Sequence, residues 1–189
     1  KDDSRRMEQL ASTDDLTGLH NLRSFEKHLE RLITEAQIVH SPLTLLVLDL
    51  DRLKSINDRF GHLAGAAAIR TVGTLIAANA PEGGVGCRYG GDEFVIALPN
   101  HSSEKGAEFA ERLCAAVREL EPTLAGLVFP ASTLSISVGV ATWTSEQCSV
   151  TELGEKLFHM ADQALYAAKE QGRNSVQVFG KELCDETSA

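Results

Sequence analysis

Apolar residues recur at helical spacing in several parts of the chain. Between residues 22 and 38, Phe25, Leu29 and Leu32 fall on one face, which is the pattern of an amphipathic helix. Similar spacing predicts four helices, the third with its N-cap at Ser102 or Ser103: 22–38, 55–80, 102–120 and 151–171. The polar residues 1–13 also carry an apolar stripe, which predicts a connecting helix ahead of the domain.

Shorter apolar stretches predict strands. Residues 43–51 form an almost continuous apolar run that ends in acids, and residues 132–143 alternate apolar with small or polar side chains. Two further runs, 85–89 and 94–98, flank a Gly-Gly turn, and residues 175–179 predict a last short strand. Strands alternating with helices predict an α/β fold, an α+β sandwich in which helices cover a mixed central sheet. We expect one domain over residues 14–180 and a tail at 181–189.

Charge and composition exclude several classes of protein. The chain has 189 residues, of which 43% are hydrophobic, and its formal net charge is −9. Such a surface disfavours duplex DNA and anionic membranes, because both attract basic patches. We therefore expect no nucleic-acid partner and no direct membrane contact by this domain. An anionic small ligand remains compatible if a metal or local cations neutralise it.

The four cysteines, at positions 87, 114, 148 and 184, form no C-x-x-C pair. This spacing argues against a zinc site, and the size of the chain argues against a disulfide scaffold. We expect reduced cysteines in a cytoplasmic protein.

Two pairs of acidic residues fall where predicted strands end. Asp49 and Asp51 close the first strand, and Asp92 and Glu93 follow the glycine turn. Carboxylates from two strand ends can bind Mg²⁺, which prefers oxygen ligands and serves phosphoryl transfer. Glycines in the turn would let a nucleotide approach the backbone. An ordinary hairpin turn also explains a Gly-Asp pair.

Basic residues offer candidate phosphate contacts. Lys54 falls at the expected start of a helix, where free backbone N–H groups favour polyphosphate. Lys169 and Arg173 have i, i+4 spacing, which places like charges together on one helix. A bound phosphate would relieve this repulsion. A solvated lysine and cations at a helix C-terminus are the competing explanations.

Five motifs in order resemble the GGDEF family, the diguanylate cyclases, over roughly residues 12–180. The motifs are DDLTGLHN at 14–21, DLDRLKSINDRFGH at 49–62, RYGGDEF at 88–94, SISVGVA at 135–141 and YAAKEQGRN at 166–174. The resemblance implies a fold similar to that of the nucleotidyl cyclase catalytic domains.

The resemblance also implies a metal site. Asp49 and Asp92, with the Leu50 carbonyl, would hold two Mg²⁺ or Mn²⁺ ions per active site. Glu93 is a further candidate, either as a metal ligand or for proton abstraction.

The remaining implied site residues would bind GTP. Asn57 would hydrogen-bond the guanine edge. The phosphates would face the side chain of Lys54 and the backbone of Arg52 and Leu53, and would be held from the far helix by Lys169 and Arg173.

The reaction that the resemblance implies needs two GTP-loaded subunits. Each domain binds one GTP, so condensation to cyclic di-GMP implies a homodimer. An upstream sensor domain would control it, either in a soluble protein or in the cytoplasmic part of a membrane-anchored receptor.

Two sites of the family pattern are altered in this chain. The stretch GHLAGAAA places Ala66 where the family usually has a second guanine-binding Asp. Pro81 and Gly84 occupy the positions of the usual Arg-x-x-Asp inhibitory site, so we expect no product inhibition there. Two alternatives therefore stay open beside the cyclase: a catalytically weak or inactive nucleotide-binding regulatory module, and a cyclase with altered purine selectivity.

Overall fold

A computed structural model describes residues 12–144 and 149–180 of the chain. Most of the predicted connecting helix and the whole predicted tail lie outside these residues. The described end of the former, Ser12 and Thr13, is not helical, because Thr13 forms an antiparallel bridge with His20.

A five-stranded mixed sheet forms the centre of the domain, in the order β2-β3-β1-β6-β7. All pairs are antiparallel except β6 and β7, which are parallel. The strands of the described residues, including a separate two-stranded hairpin of β4 and β5, are β1 Leu43–Leu50, β2 Val85–Gly90, β3 Glu93–Pro99, β4 Thr123–Leu124, β5 Leu127–Val128, β6 Ile136–Trp143 and β7 Val176–Val178.

Five helices pack on this sheet or beside it. In the described residues they are α1 Leu22–Val39, α2 Leu53–Phe60, α3 His62–Asn79, α4 Ser103–Glu119 and α5 Val150–Glu170. The predicted α/β class with a mixed central sheet is confirmed. The serine cap of α4 is Ser102, whose side chain accepts from the Lys105 N–H.

Helices cover both faces of the sheet, which explains the unbroken apolar run of β1. Leu46 and Leu48 pack in one core with residues of α3 and α4. Leu45 and Val47 point to the other face and pack in a second core with residues of α1 and α5. Because strand side chains alternate, Asp49 follows Leu45 and Val47 and belongs to the α1–α5 face.

Two local predictions were wrong, and one short hairpin was missed. The helix expected at 55–80 is broken at Gly61, whose φ of 85° ends α2 and begins α3. The last helix ends at Glu170, so Arg173 lies beyond it, with a φ of 69°. The β4–β5 hairpin was not predicted, since strands of two residues are too short to show a period.

No helix among the described residues combines the length and apolarity required to cross a membrane.

Candidate active site

The predicted acidic residues meet where β1 ends beside the β2–β3 hairpin. Asp49 of β1 pairs directly with Glu93 of β3 across the sheet. The backbone N–H of Leu50 donates to the carbonyl oxygen of Asp92 at 3.1 Å. These contacts attach the turn of the hairpin to the end of the central strand, so three acidic residues from two distant motifs lie together.

Lys169 supplies a cation to this acidic cluster. Its Nζ lies 2.9 Å from Oδ2 of Asp49, and both side chains are mostly shielded from solvent. The contact is possible because Asp49 faces α5 and Lys169 lies one residue before the end of that helix. The sequence predicted both residues for the site but not their direct contact.

The charges of the cluster affect the pKa of the Asp49 carboxyl group. Burial raises the pKa of Asp49, and the negative charges of Asp92 and Glu93 add to this effect, while the hydrogen bond and charge of Lys169 oppose it. The neighbouring carboxylates are therefore close enough to repel Asp49. An additional cation would relieve this repulsion.

The donor chemistry of this cluster fits Mg²⁺ or Mn²⁺. Carboxylate and carbonyl oxygens are the ligands that these hard cations prefer. Within residues 12–144 and 149–180, no three His, Cys, Asp or Glu side chains form a ready metal-binding group. Mg²⁺ sites in proteins commonly use one or two carboxylates together with substrate phosphates and waters, without a complete protein cage.

Asp51 does not join the acidic cluster, contrary to the grouping suggested by the sequence. Its carboxylate is 4% exposed and accepts hydrogen bonds from Ser135 Oγ at 2.8 Å and Ser137 Oγ at 2.7 Å. The backbone N–H of Asn174 donates to it at 3.0 Å. The chain turns away after Leu50, and Asp51 becomes an anchor between the start of β6 and the loop after α5.

The predicted phosphate contacts divide between two elements. Arg52 has a φ of 58° and precedes α2, whose first turn carries Leu53 and the exposed Lys54; no side chain caps this helix start. Arg173 is exposed in the loop after α5 and does not share a helical face with Lys169. Arg52 and Arg173 nevertheless line one cleft.

Asn57, the predicted guanine contact, lies against α3. An added Cβ at Gly65 would overlap the side-chain oxygen of Asn57, so only glycine leaves room for this amide. Ala66 follows directly on α3 and is half-buried. The structure thus brings Asn57 and Ala66 close in the fold, at the break between α2 and α3.

The hairpin turn offers open space for a ligand. A Cβ added at Gly90 or Gly91 would meet no atom within 4 Å. The turn is therefore unobstructed where side chains at these two positions would project.

A family model described as "Diguanylate cyclase, GGDEF domain" matches residues 11–175. The chain belongs to the GGDEF family. The matched range lies close to the predicted domain limits of 14–180, although it begins three residues earlier and ends five earlier. The family resemblance predicted from the five motifs is confirmed.

Curated relatives of this GGDEF domain are longer proteins. It is 36% identical to the response regulator PleD of Caulobacter vibrioides over 89% of the chain and 36% of PleD. It is 37% identical to the diguanylate cyclase DgcP of Pseudomonas aeruginosa over 90% of the chain and 24% of DgcP. The chain thus spans about a quarter to a third of the length of these relatives.

Solved structures that are similar to this chain are also GGDEF domains. The coiled coil and GGDEF domain of DgcB from Caulobacter crescentus, in complex with c-di-GMP, matches with a TM-score of 0.84 and 29% identity, covering 94% of this chain and 90% of that one. The GGDEF domain of YfiN (TpbB) from Pseudomonas aeruginosa matches with a TM-score of 0.78 and 31% identity, covering 88% and 94%.

In this GGDEF domain, two motif residues without a predicted role tie the hairpin to the first loop. Arg88 donates through Nε and Nη2 to the Gly91 carbonyl at 3.0 and 2.8 Å, and its Nη1 lies 3.2 Å from Oδ2 of Asp14. Asp14 Oδ1 also accepts from the N–H and hydroxyl of Thr17. The only sequence signal for this link was that Asp14 and Arg88 each belong to one of the five motifs.

These contacts determine the charge state of Asp14. Burial by itself raises the pKa of Asp14, but the hydrogen bonds from Thr17 and the charge of Arg88 outweigh burial and hold the pKa below its usual range. The first loop therefore contributes an ionised carboxylate that holds Arg88 over the hairpin turn.

A second cleft carries none of the predicted site residues. It measures about 390 Å³ between α1 and the start of α5, and its walls include Phe25, Leu29 and Phe158. Since no acid, lysine or arginine of the predicted site lines it, the acidic cluster is the better candidate for catalysis.

Proposed function

We propose that this domain is a diguanylate cyclase that condenses two GTP molecules into cyclic di-GMP and releases pyrophosphate. The observation that carries the proposal is the pairing of Asp49 with Glu93, which brings the acidic end of β1 onto the Gly-Gly-Asp-Glu hairpin. DgcP, a relative of this chain, is named a diguanylate cyclase, which supports the same chemistry.

Metal binding in the proposed site is assigned to the acidic cluster. Asp49, Asp92 and the Leu50 carbonyl would hold two Mg²⁺ or Mn²⁺ ions, with Glu93 as a further ligand or as the proton acceptor. Bound there, the ions would polarise the phosphates and favour ionisation of the attacking hydroxyl.

The domain's own residues bind and orient the nucleotide in this proposal. The amide of Asn57 reads the guanine edge. Lys54 and the backbone N–H groups of Arg52 and Leu53 face the phosphates at the start of α2. Lys169 contacts Asp49 in the described structure, and it exchanges this partner for a phosphate when GTP arrives.

The reaction requires two domains, since each binds one GTP. In a homodimer with facing sites, the 3′-oxygen of one GTP forms a bond to the α-phosphorus of the other. The bond from that phosphorus to the bridging oxygen breaks, and pyrophosphate leaves with the electron pair. In this proposal Glu93, where it does not bind a metal, would accept the hydroxyl proton. Two such steps close the cyclic dinucleotide.

Two departures shape the proposed activity. Alanine at position 66 offers no acceptor for guanine, and the loss of one charge-assisted hydrogen bond lowers affinity by about one to two decades. Pro81 and Gly84 replace the inhibitory arginine and aspartate, so we expect turnover without product inhibition through that position.

The direct test is to incubate the purified domain, at high concentration, with GTP, ATP or both in Mg²⁺ or Mn²⁺ and to identify products by mass. Cyclic di-GMP from GTP alone is the expected product. The matched controls Asp92→Asn and Glu93→Gln, checked for native folding by circular dichroism, are expected to form none.

The other results separate the alternatives. Mixed or adenine-containing products would favour the cyclase with altered purine selectivity, because Ala66 changes the base-binding edge. Absence of every product from folded, dimeric protein would favour the regulatory module.

A further inference from the structure

Three arginines from distant parts of the chain line one cleft beside the junction of β1 and α2. Arg52 follows β1, Arg118 lies in the last turn of α4, and Arg173 lies in the loop after α5. The cleft has a volume of about 290 Å³. The family resemblance gave the backbone of Arg52 and the side chain of Arg173 a role at the phosphates, but Arg118 belongs to none of the five motifs.

The three arginine side chains have no direct acidic partner among the described residues. Among the described residues, Arg31 and Arg88 form ion pairs, whereas Arg52, Arg118 and Arg173 make no ion pair or side-chain hydrogen bond with another described residue. Like charges that share a cleft repel one another, and a bound anion removes this cost.

The walls of the cleft are held in place by backbone and buried contacts. Asp51 accepts from Ser135 Oγ and from the Asn174 N–H, and both of these residues line the cleft. The N–H of Ser132, another lining residue, donates to the Arg118 carbonyl at 2.6 Å. The arginines therefore project from anchored backbone, although the Asp51 carboxylate offsets one of their three charges.

We propose that Arg118 is a phosphate-binding residue that completes, with Arg52 and Arg173, a site for the terminal phosphates of a nucleoside triphosphate. This inference rests on the proposed function, because that function places the phosphates at the start of α2, next to Arg52. A guanidinium group binds phosphate through two parallel N–H donors, which makes arginine suited to this ligand. Free pyrophosphate carries the same phosphate groups, so it is a second possible ligand of this site.

Titration calorimetry tests this site. It measures ligand binding to the whole domain under conditions in which no turnover occurs. Arg118→Gln is expected to weaken the binding of both pyrophosphate and GTP by about ten-fold or more, because a charge-assisted contact is lost. The binding of GMP should stay unchanged. Arg118→Lys should restore only part of the affinity, because it keeps the charge and loses the paired donors.

The matched control is Arg112→Gln. Arg112 is exposed on the same helix, in a surface depression with Glu104, Glu108 and Glu111, and it lies outside the arginine cleft. This variant should bind all three ligands like the wild type. The salt dependence of pyrophosphate binding should become shallower in Arg118→Gln and stay unchanged in Arg112→Gln.

Competition distinguishes the two sources of phosphate. GTP is expected to displace pyrophosphate, since both would use the same arginines. The proposal is wrong if both ligands bind at once, if the wild type binds no pyrophosphate, or if Arg118→Gln binds like the wild type. Absence of cyclic di-GMP alongside Arg118-dependent binding would refute only the proposed cyclase reaction.

Discussion

Lys169 Nζ lies 2.9 Å from Asp49 Oδ2, and this ion pair joins the end of α5 to the end of β1. Both residues were predicted to serve the site, one for phosphate and the other for metal. Their contact offsets the negative charge of Asp49, which lies close enough to Asp92 and Glu93 to be repelled by them. Lys169 is thus the cation that keeps the acidic cluster from being a group of uncompensated carboxylates.

Replacement of Lys169 by methionine should destabilise the domain. The variant leaves Asp49 half-buried beside Asp92 and Glu93 without its cation, and we expect a loss of about 1–3 kcal/mol in the free energy of unfolding. Urea denaturation of the single variants Lys169→Met and Asp49→Asn and of the double variant measures the coupling. Strictly additive effects would show that the ion pair contributes nothing.

Replacement of Ala66 by aspartate should strengthen GTP binding. A carboxylate at this position can accept from the guanine N1–H and amino groups, and we expect a gain of about ten-fold or more. Calorimetry with GTP and ATP measures the change and its base preference. Ala66→Asn, which has a similar shape and no charge, is the control and should gain less. Equal affinities for the wild type and Ala66→Asp would contradict the proposed orientation of the base.

Replacement of Gly65 by alanine should displace Asn57 and weaken GTP binding by about ten-fold. The added methyl group would overlap the Asn57 amide, which then cannot keep its position. The control is the double variant Gly65→Ala/Asn57→Ala. If Gly65 acts through Asn57, the double variant should bind GTP no more weakly than Asn57→Ala alone.

The Asp14–Arg88 link should make stability depend on pH in the acid range. Because the pKa of Asp14 is lowered by folding, its contribution is fully present above the unfolded value, about 3.9, and is lost as the pH falls through the lower folded value. The difference in unfolding free energy between the wild type and Asp14→Asn should be largest near neutral pH and vanish in acid. Asp15→Asn, at the exposed neighbouring position, should show no such trend.

The two described cysteines should resist alkylation in the native domain. Burial raises the pKa of both Cys87 and Cys114 to about 12, so almost no thiolate exists at neutral pH. Iodoacetamide treatment followed by peptide mass mapping should label these two positions only after denaturation. Rapid labelling of either one in folded protein would show that its strand or helix opens readily.

The sequence by itself determined most of the elements and most of the residues of the candidate site. The continuous apolar run of β1 and the alternation in β6 report burial on sheet faces, and such local periods can be read without tertiary contacts. The residues of the acidic cluster were also predicted, because their motifs lie beside strand ends. Where local signals were weak, the prediction merged two helices across Gly61 and placed Arg173 on the helix that ends at Glu170.

Only the tertiary structure decided which of these side chains meet. Asp49 and Asp51 are two residues apart in sequence. Asp51 is buried and accepts hydrogen bonds from serine hydroxyl groups, whereas Asp49 contacts Lys169 of α5. Arg88 reaches Asp14 across 74 residues, and Arg118 comes to Arg52 and Arg173 from a helix outside every motif. Such contacts depend on strand register and on how helices cross the sheet, and no local pattern of polar and apolar residues encodes these long-range relations.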